Sequence, residues 1–411
     1  MSTSVADQFT VAATAGGATA PKGFTAAGLH CGIKAKTGAL DLGVLAADRA
    51  VPAAGLFTTN LAQAAPITVS KRHFETNQGL VRAIVVNSGC ANACTGTVGM
   101  SDAGQMAAEA AAQLGCLAEQ VLVASTGVIG VNLKMDKLVP GIRAAAAALG
   151  REHGSILARA IMTTDPFPKQ ASAEVMAGGG TFRVGGIAKG SGMIEPNMAT
   201  MLGFVTTDAA AAPDLLQRAL KAAVDETFNA ITVDGECSTN DCVFVLANGA
   251  SGIRLGDTDY DVLVRALRIV CEPLAIGIVR GGEGATKLVT VNVTDARTIE
   301  DAQRVAKTIA NSPLVKTAIH GADPNWGRSV AAAGRSGVLF DVNRATVHVG
   351  GILLFENGLP HDDAAPEAEK HLQGTEIRID VALGTGGGRH ATVWTCDLSA
   401  EYVRINGEYR T

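Results

Sequence analysis

Short β-like apolar runs alternate with Ala-rich helical stretches along the chain. Residues 81–87 (VRAIVVN) read as a buried strand that ends in the turn-forming pair Ser88-Gly89. A helix is predicted over 102–114 (DAGQMAAEAAAQL) and stops at Gly115, followed by a strand at 121–125 (VLVAS) running into Thr126-Gly127. Helical patterns at 137–149 and 155–163 come next, and Pro166 and Pro168 then break the chain. In the second half, Pro213 fits the first turn of a helix that reaches about Thr227. Strands are predicted at 229–233, 242–247, 287–293, 375–382 and 391–396. Residues 259–280 read as largely helical, with an interruption near Pro273. Thr298 with Asp301 three residues on has the form of a helix N-cap pair. The pattern predicts a mixed α/β protein of linked layers rather than one long doubly wound sheet.

Composition narrows the class of protein. The 411 residues suggest two or three domains at about 150 residues each. The 47% hydrophobic content is enough for large buried cores and excludes a mostly disordered chain. With 34 Lys+Arg against 39 Asp+Glu the net charge is −5, so no basic excess points to nucleic acid or an anionic membrane. The 48 glycines, set against 4% aromatics, imply tight turns and cores filled with small aliphatics. No run of 18 or more apolar residues exists to span a membrane, and the N-terminus has no basic n-region. The expected compartment is the cytoplasm.

The eight cysteines are irregularly spaced and contain no CxxC, so they read as buried thiols rather than a disulfide framework. Cys90 and Cys94 have one metal-like spacing, but no paired His or Cys set follows, so no metal site is assigned. Walker A, HExxH and GxSxG motifs are absent. The Gly-rich stretches at 178–180, 281–284 and 384–388 read as turns. If the chain is an enzyme, its nucleophile must be activated without the usual histidine.

The segment 188–204 (AKGSGMIEPNMATMLGF) offers such a route. Gly190-Ser191-Gly192 is flexible, Pro196-Asn197 is turn chemistry, and small Ala199 precedes Thr200 and an apolar strand-like run. A β-hydroxyl at a strained turn can attack the carbonyl before it, and hydrolysis of the resulting ester leaves a new N-terminal Thr. That residue carries its own base, since an α-amino group has a pKa of about 7.7–8. An ordinary loop leading into a strand explains the same residues.

The chain resembles the ornithine acetyltransferase (ArgJ-type glutamate N-acetyltransferase) family of arginine biosynthesis. The resemblance runs through AAGLFTTNLAQAAPITVS (53–70), VVNSGCANACTG (85–96), STGVIG (125–130) and IMTTDPFPK (161–169). It continues through KGSGMIEPNMATML (189–202), NAITVDGECSTND (229–241), GGEGATK (281–287), HGADPNWGR (320–328) and the tail CDLSAEYVRINGEYRT (396–411). Cys90 and the pair Glu236-Cys237 depart from the family strings. The resemblance implies a DmpA/ArgJ-like layered sandwich of helices and mixed sheets. It also implies self-cleavage between Ala199 and Thr200, giving an α chain of 1–199 and a β chain of 200–411 paired as α2β2.

The implied reaction moves acetyl from N2-acetylornithine to glutamate through an acetyl-Thr200 intermediate, without a cofactor. Acetyl-CoA would need a nucleotide-binding surface, and no basic Gly-rich phosphate loop clearly supplies one, so it is expected to be at best a weaker donor. By the same resemblance, the Thr126 hydroxyl and the Gly127 N–H stabilise the oxyanion. Thr163, Lys189, Thr200, Glu283, Asn406 and Thr411 hold substrate, with Thr164 a close neighbour of Thr163 that is easily confused with it. Lys189 would meet an α-carboxylate and Glu283 the ornithine side-chain ammonium. The competing readings are an N-terminal-nucleophile amidase or aminopeptidase of the same fold, which passes the acyl group to water, and a non-catalytic small-molecule binding protein.

Overall fold

The computed structural model describes residues 9–177, 180–195 and 201–408. Ala199, Thr200 and Thr411, to which the sequence assigns cleavage, nucleophile and substrate contact, lie outside these residues. The first half of the chain runs β1 (Thr10–Thr14), β2 (Phe24–Leu29), β3 (Leu42–Phe57), α1 (Ala65–Asn77), β4 (Leu80–Cys90) and α2 (Gly96–Leu114). It continues with β5 (Val121–Val128), α3 (Met135–Ala147), α4 (Gly154–Ala160), β6 (Lys169–Ala177) and β7 (Gly180–Lys189). The second half runs β8 (Leu202–Thr207), α5 (Pro213–Asp225), β9 (Cys242–Ala247), α6 (Tyr260–Arg280), β10 (Leu288–Ala296), α7 (Ile299–Ala310), α8 (Pro313–His320) and α9 (Trp326–Gly334). It ends with β11 (Thr346–Val349), β12 (Ile352–Glu356), β13 (Leu359–Pro360), α10 (Ala365–Leu372), β14 (Glu376–Ala382), β15 (Arg389–Cys396) and α11 (Ala400–Glu408).

Local chemistry explains several boundaries. Gly115 takes a left-handed φ of 65° and closes α2. The Thr298 side chain accepts from the Asp301 N–H at 3.0 Å and so caps α7, as its spacing predicts. Two expectations are corrected. Pro273 does not interrupt α6, because Val270, Cys271, Leu274 and Ala275 around it are all buried against the sheet. That burial outweighs the roughly 3 kcal/mol that a mid-helix proline costs. Residues 229–233 form no strand. They make a short 3-10 turn at 228–230, after which the Thr232 N–H bonds the Trp394 carbonyl at 2.9 Å and covers the outer edge of β15.

Nine strands form one mixed sheet in the order β1-β6-β7-β8-β9-β3-β4-β5, with β2 on the first part of β3. The 16-residue β3 makes this possible, since its register shifts between Ala46 and Val51. Its first part pairs with β2 and β4 and its last part, Ala53–Phe57, with β9. The two parts of the sheet therefore fold face to face. One buried cluster joins Phe24, Leu45, Ile84 and Leu122 to Ile187, Phe204 and Phe244 from the opposite half. Helices α2 and α3 cover one outer face, and α5 and α6 cover the other. The result is a layered α–β–β–α sandwich of the expected class. A second sheet, β13-β12-β11-β14-β10-β15, packs its own core against α7 to α10.

Asp397, just after β15, ties the second sheet to the first unit. Its Oδ1 accepts the Thr286 and Lys287 N–H groups at 2.8 and 2.9 Å. Its Oδ2 accepts from the Thr286 hydroxyl and His320 Nδ1. The loop held this way carries Glu283. Asp397→Asn removes one acceptor oxygen from a buried knot and should lower stability by about 1–3 kcal/mol, read as a reduced urea midpoint with unchanged slope.

Candidate active site

Strand ends from both halves of the folded sheet meet at one cleft. Its volume is about 270 Å³, and its described lining includes Thr126, Gly127, Thr163, Thr164, Lys189, Glu283 and Asn406. Every described residue that the sequence assigned to the site is therefore in it, Thr164 as well as Thr163. Chain connectivity adds a constraint: Met201 and Leu202, which follow Thr200, also line the cleft.

Thr126 and Gly127 sit at the end of β5, beside Ser88 and Gly89 of the parallel β4. Gly127 has φ +130°, and a Cβ there would fall onto the backbone of Gly89 and Cys90, 2.6 Å from the Cys90 nitrogen. Only glycine lets the two strand ends approach so closely. Asn240 braces the same edge by donating to the Ala91 and Ser125 carbonyls at 2.6 and 2.9 Å. Lys189, the last residue of β7, is 8% exposed and donates from Nζ to Thr126 Oγ1 at 3.1 Å. Among the described lining residues it is the single cation.

Asp165 organises the wall behind Lys189. Its Oδ1 accepts from Lys169 Nζ at 2.6 Å and from the Gly190 N–H at 2.7 Å, and its Oδ2 accepts from the Thr163 N–H at 3.0 Å. Burial alone raises a carboxyl pKa, but Lys189, Lys169 and the Gly190 N–H outweigh it and bring Asp165 down to about 2. Lys34 braces the preceding residue by donating to the Met162 carbonyl at 2.7 Å. Burial, with Lys189 nearby, lowers the Lys34 pKa to about 8 despite the opposing pull of Asp41.

Across the cleft, the Glu283 N–H donates to the Ser191 carbonyl at 3.0 Å, and its Oε2 accepts from Asn406 Nδ2 at 2.9 Å. Gly192 lies against the Glu283 carboxylate, so a side chain there would require the carboxylate to move. Helix α11 closes this side. The Tyr402 hydroxyl donates to Asp234 Oδ2 at 3.2 Å, while Asp234 also accepts from the Met193 and Ile194 N–H groups, both at 2.8 Å. The C-terminal segment thus folds back to the cleft at least as far as Asn406.

Sequence reading missed Asp165, Asp234, Tyr402 and the run Ser238–Asp241. The last had a signal: four polar residues lead directly into the wholly apolar strand Cys242–Ala247. Asp241 is 3% exposed, and its Oδ2 has no hydrogen-bond partner among the described residues. Burial raises its pKa well above the usual carboxylate range, against the pull of Ser238 donors and Lys189. Cys90, by contrast, is a packed thiol that donates to the Val131 carbonyl at 3.1 Å.

A layered sandwich whose strand ends surround one lysine, several hydroxyls and buried carboxylates is the layout of a small-molecule enzyme. A profile of the ArgJ family matches residues 25–411. The arginine biosynthesis bifunctional protein ArgJ of Symbiobacterium thermophilum is 51% identical over 403 residues, covering 97% of this chain and 99% of its own. That of Dehalococcoides mccartyi is 48% identical over 400 residues, 96% and 98% of the two chains. A solved ornithine acetyltransferase from Mycobacterium tuberculosis, complexed with ornithine, is 40% identical with TM-score 0.42, covering 46% of this chain and 100% of its own. The chain belongs to the ArgJ family.

Asp165 makes the acid stability of the site predictable. Its folded pKa of about 2 lies below the unfolded value, so its contribution is present above about pH 4 and is lost as pH falls toward 2. Acid unfolding should show this loss, about 2–3 kcal/mol, in wild type. Asp165→Asn leaves two buried lysines without their counter-ion and should cost about 3–5 kcal/mol at neutral pH. Chemical melts from pH 7 down to about pH 1, below both pKa values, check both figures.

Proposed function

We propose that the chain moves an acetyl group from N2-acetylornithine to glutamate through an acetyl ester on Thr200, after cutting itself between Ala199 and Thr200. Its broader class, an acyltransferase of arginine biosynthesis, follows from its place in the ArgJ family. The observation that carries the finer reading is the cleft itself. It contains Thr126-Gly127, Lys189, Glu283 and the residues directly after Thr200.

In this reading the Thr200 hydroxyl attacks the amide carbonyl while its own α-amino group takes the proton. The Thr126 hydroxyl and Gly127 N–H stabilise the tetrahedral oxyanion, a type of contact worth about 2.7–4 kcal/mol per donor. Lys189 pairs with the α-carboxylate common to both amino acids, and Thr163 and Asn406 complete the pocket with Thr411. Glu283 receives the second ammonium that only ornithine carries. Ornithine leaves, glutamate takes the acetyl group, and the kinetics are ping-pong. Acetyl-CoA, with no basic Gly-rich phosphate loop in the sequence to hold it, is at best a weaker donor.

The products of cleavage, 1–199 and 200–411, stay one folded unit because β7 of the first pairs with β8 of the second. Two such units make the proposed α2β2 assembly. The proposed compartment is the cytoplasm; among the described residues no helix is long and apolar enough to cross a membrane. The amidase reading is the weaker one, given identities near 50% to ArgJ proteins over almost the whole chain.

Purified protein should run as two chains, the second beginning Thr-Met-Leu-Gly-Phe, and Thr200→Ala should stay intact. Labelled acetylornithine alone should leave label on the second chain, and glutamate should discharge it as acetylglutamate. Loss of label to water regardless of glutamate would instead establish the amidase. Thr126→Ala should lower kcat about 100-fold or more with a smaller change in KM. Glu283→Gln should raise KM for acetylornithine more than for glutamate, and equal losses would remove its role in choosing the donor.

A further inference from the structure

The proposed transfer moves one more proton in each half than a single amine carries. The Thr200 α-amino group can take the hydroxyl proton and give it to ornithine's nitrogen. Ornithine leaves as an ammonium ion, so its nitrogen needs a second proton, and glutamate's α-ammonium must lose one before it attacks. A group that gives a proton in the first half and takes one in the second meets both needs.

We infer that Asp241 is this group, the acid–base partner of the substrate nitrogen; the inference rests on the acetyl-transfer reading above. Asp241 lines the cleft, is almost wholly buried, and has its Oδ2 unbonded among the described residues. A buried carboxyl oxygen without a partner is costly, so its retention at a cleft calls for a ligand. Its position is fixed by β9. The Cys242 N–H donates to the Met201 carbonyl at 3.0 Å, and Cys242 pairs in register with Leu202. Asp241 therefore stands at the strand level of Met201, the residue bonded to Thr200.

The surroundings favour a carboxyl that changes protonation state. Lys189 faces the cleft from β7, Asp234 and Glu236 from the loop before β9, Glu283 from its turn and Tyr402 from α11. Cys242, on its own strand, is a buried thiol whose pKa is raised by burial and by Asp241. Burial raises the Asp241 pKa well above the usual carboxylate range, against the opposing pull of the Ser238 donors and Lys189.

The steps balance. In the first half the Thr200 oxygen bonds to the acetyl carbon and its proton passes to the α-amino group. Ornithine's nitrogen takes the Asp241 proton as the C–N bond breaks, keeps the bonding electron pair, and then takes the hydroxyl proton from the α-ammonium, so ornithine leaves as an ammonium ion. The enzyme then holds an acetyl ester, a neutral α-amine and an Asp241 carboxylate. In the second half the carboxylate takes a proton from glutamate's ammonium and the free amine attacks the ester. The attacking nitrogen passes its surplus proton to the α-amine, the C–O bond breaks, and the Thr200 oxygen takes that proton from the α-ammonium. Both groups return to their starting states.

The test compares donors whose leaving groups differ in their need for a proton, using full-length chain with wild-type and Asp241→Asn sequences. Acetylation of the enzyme by acetylornithine should fall about 100-fold in Asp241→Asn, the low end for removing a general acid. Acetylation by p-nitrophenyl acetate, whose nitrophenolate leaves unprotonated, should fall at least tenfold less. Equal losses with both donors would show a merely structural role and overturn the inference, as would an unchanged rate with acetylornithine. Wild type decides the matter independently if the variant misfolds or stays uncut. Its acetylation rate with acetylornithine should decline relative to the nitrophenyl ester as pH rises and Asp241 loses its proton; parallel profiles overturn the assignment. A wild-type chain that is never cut or never labelled fails earlier, at the reading of Thr200 itself.

Discussion

The ladder β7–β8–β9 is the constraint on which the site depends. Lys189 pairs with Leu202, and Leu202 pairs with Cys242, so three distant stretches of sequence end at one level. A slip of one residue in either pairing would turn Lys189 or Asp241 to the opposite face of the sheet. Buried apolar side chains on both faces hold the register, including Ile187, Phe204 and Phe244 on one side and Val205, Val243 and Val245 on the other. The ladder also crosses the bond at which cleavage is proposed, so cutting there separates two chain ends without releasing either strand.

Around this ladder, charge is arranged with little redundancy. Asp165 joins the Thr163 loop to the start of the 190–195 segment and offsets two lysines, leaving Lys189 directed at Thr126. Glu283 is held on the opposite side by Ser191 and Asn406. A cation on one wall and a carboxylate on the other suit a molecule with a carboxylate at one end and an ammonium at the other. The second sheet contributes indirectly. Asp397 secures Thr286 and Lys287, the Ser399 hydroxyl donates to the Gly284 carbonyl at 2.6 Å, and α11 then reaches the cleft.

Much of the candidate chemistry was legible through long strings shared with the ArgJ family rather than from local residue chemistry. Thr126-Gly127, Lys189 and Glu283 were named by that resemblance, whereas taken alone a strand-end turn, a lysine and a Gly-rich turn point to no chemistry. The residues that were missed act at long range. Asp165 serves its neighbours and Gly190, 25 positions away. Asp234 holds Tyr402 across 168 positions, and Asn240 reaches Ala91 across 149. No periodicity or local motif encodes such partnerships.

The sequence by itself determined the class of fold, most strand and helix positions, the absence of the common catalytic signatures and the family. These follow from side-chain patterning, turn chemistry and long matching strings, all of which are properties of neighbours along the chain. Tertiary structure decided that β3 shifts register and lets the sheet fold on itself, that α6 continues through Pro273, and that 229–233 is an edge cover rather than a strand. It also decided which polar residues are buried, and with that the opposite pKa shifts of Asp165 and Asp241. Both are aspartates followed by an apolar or turn residue in sequence. The cations and donors packed around Asp165 hold its pKa down, while around Asp241 burial outweighs them and raises it.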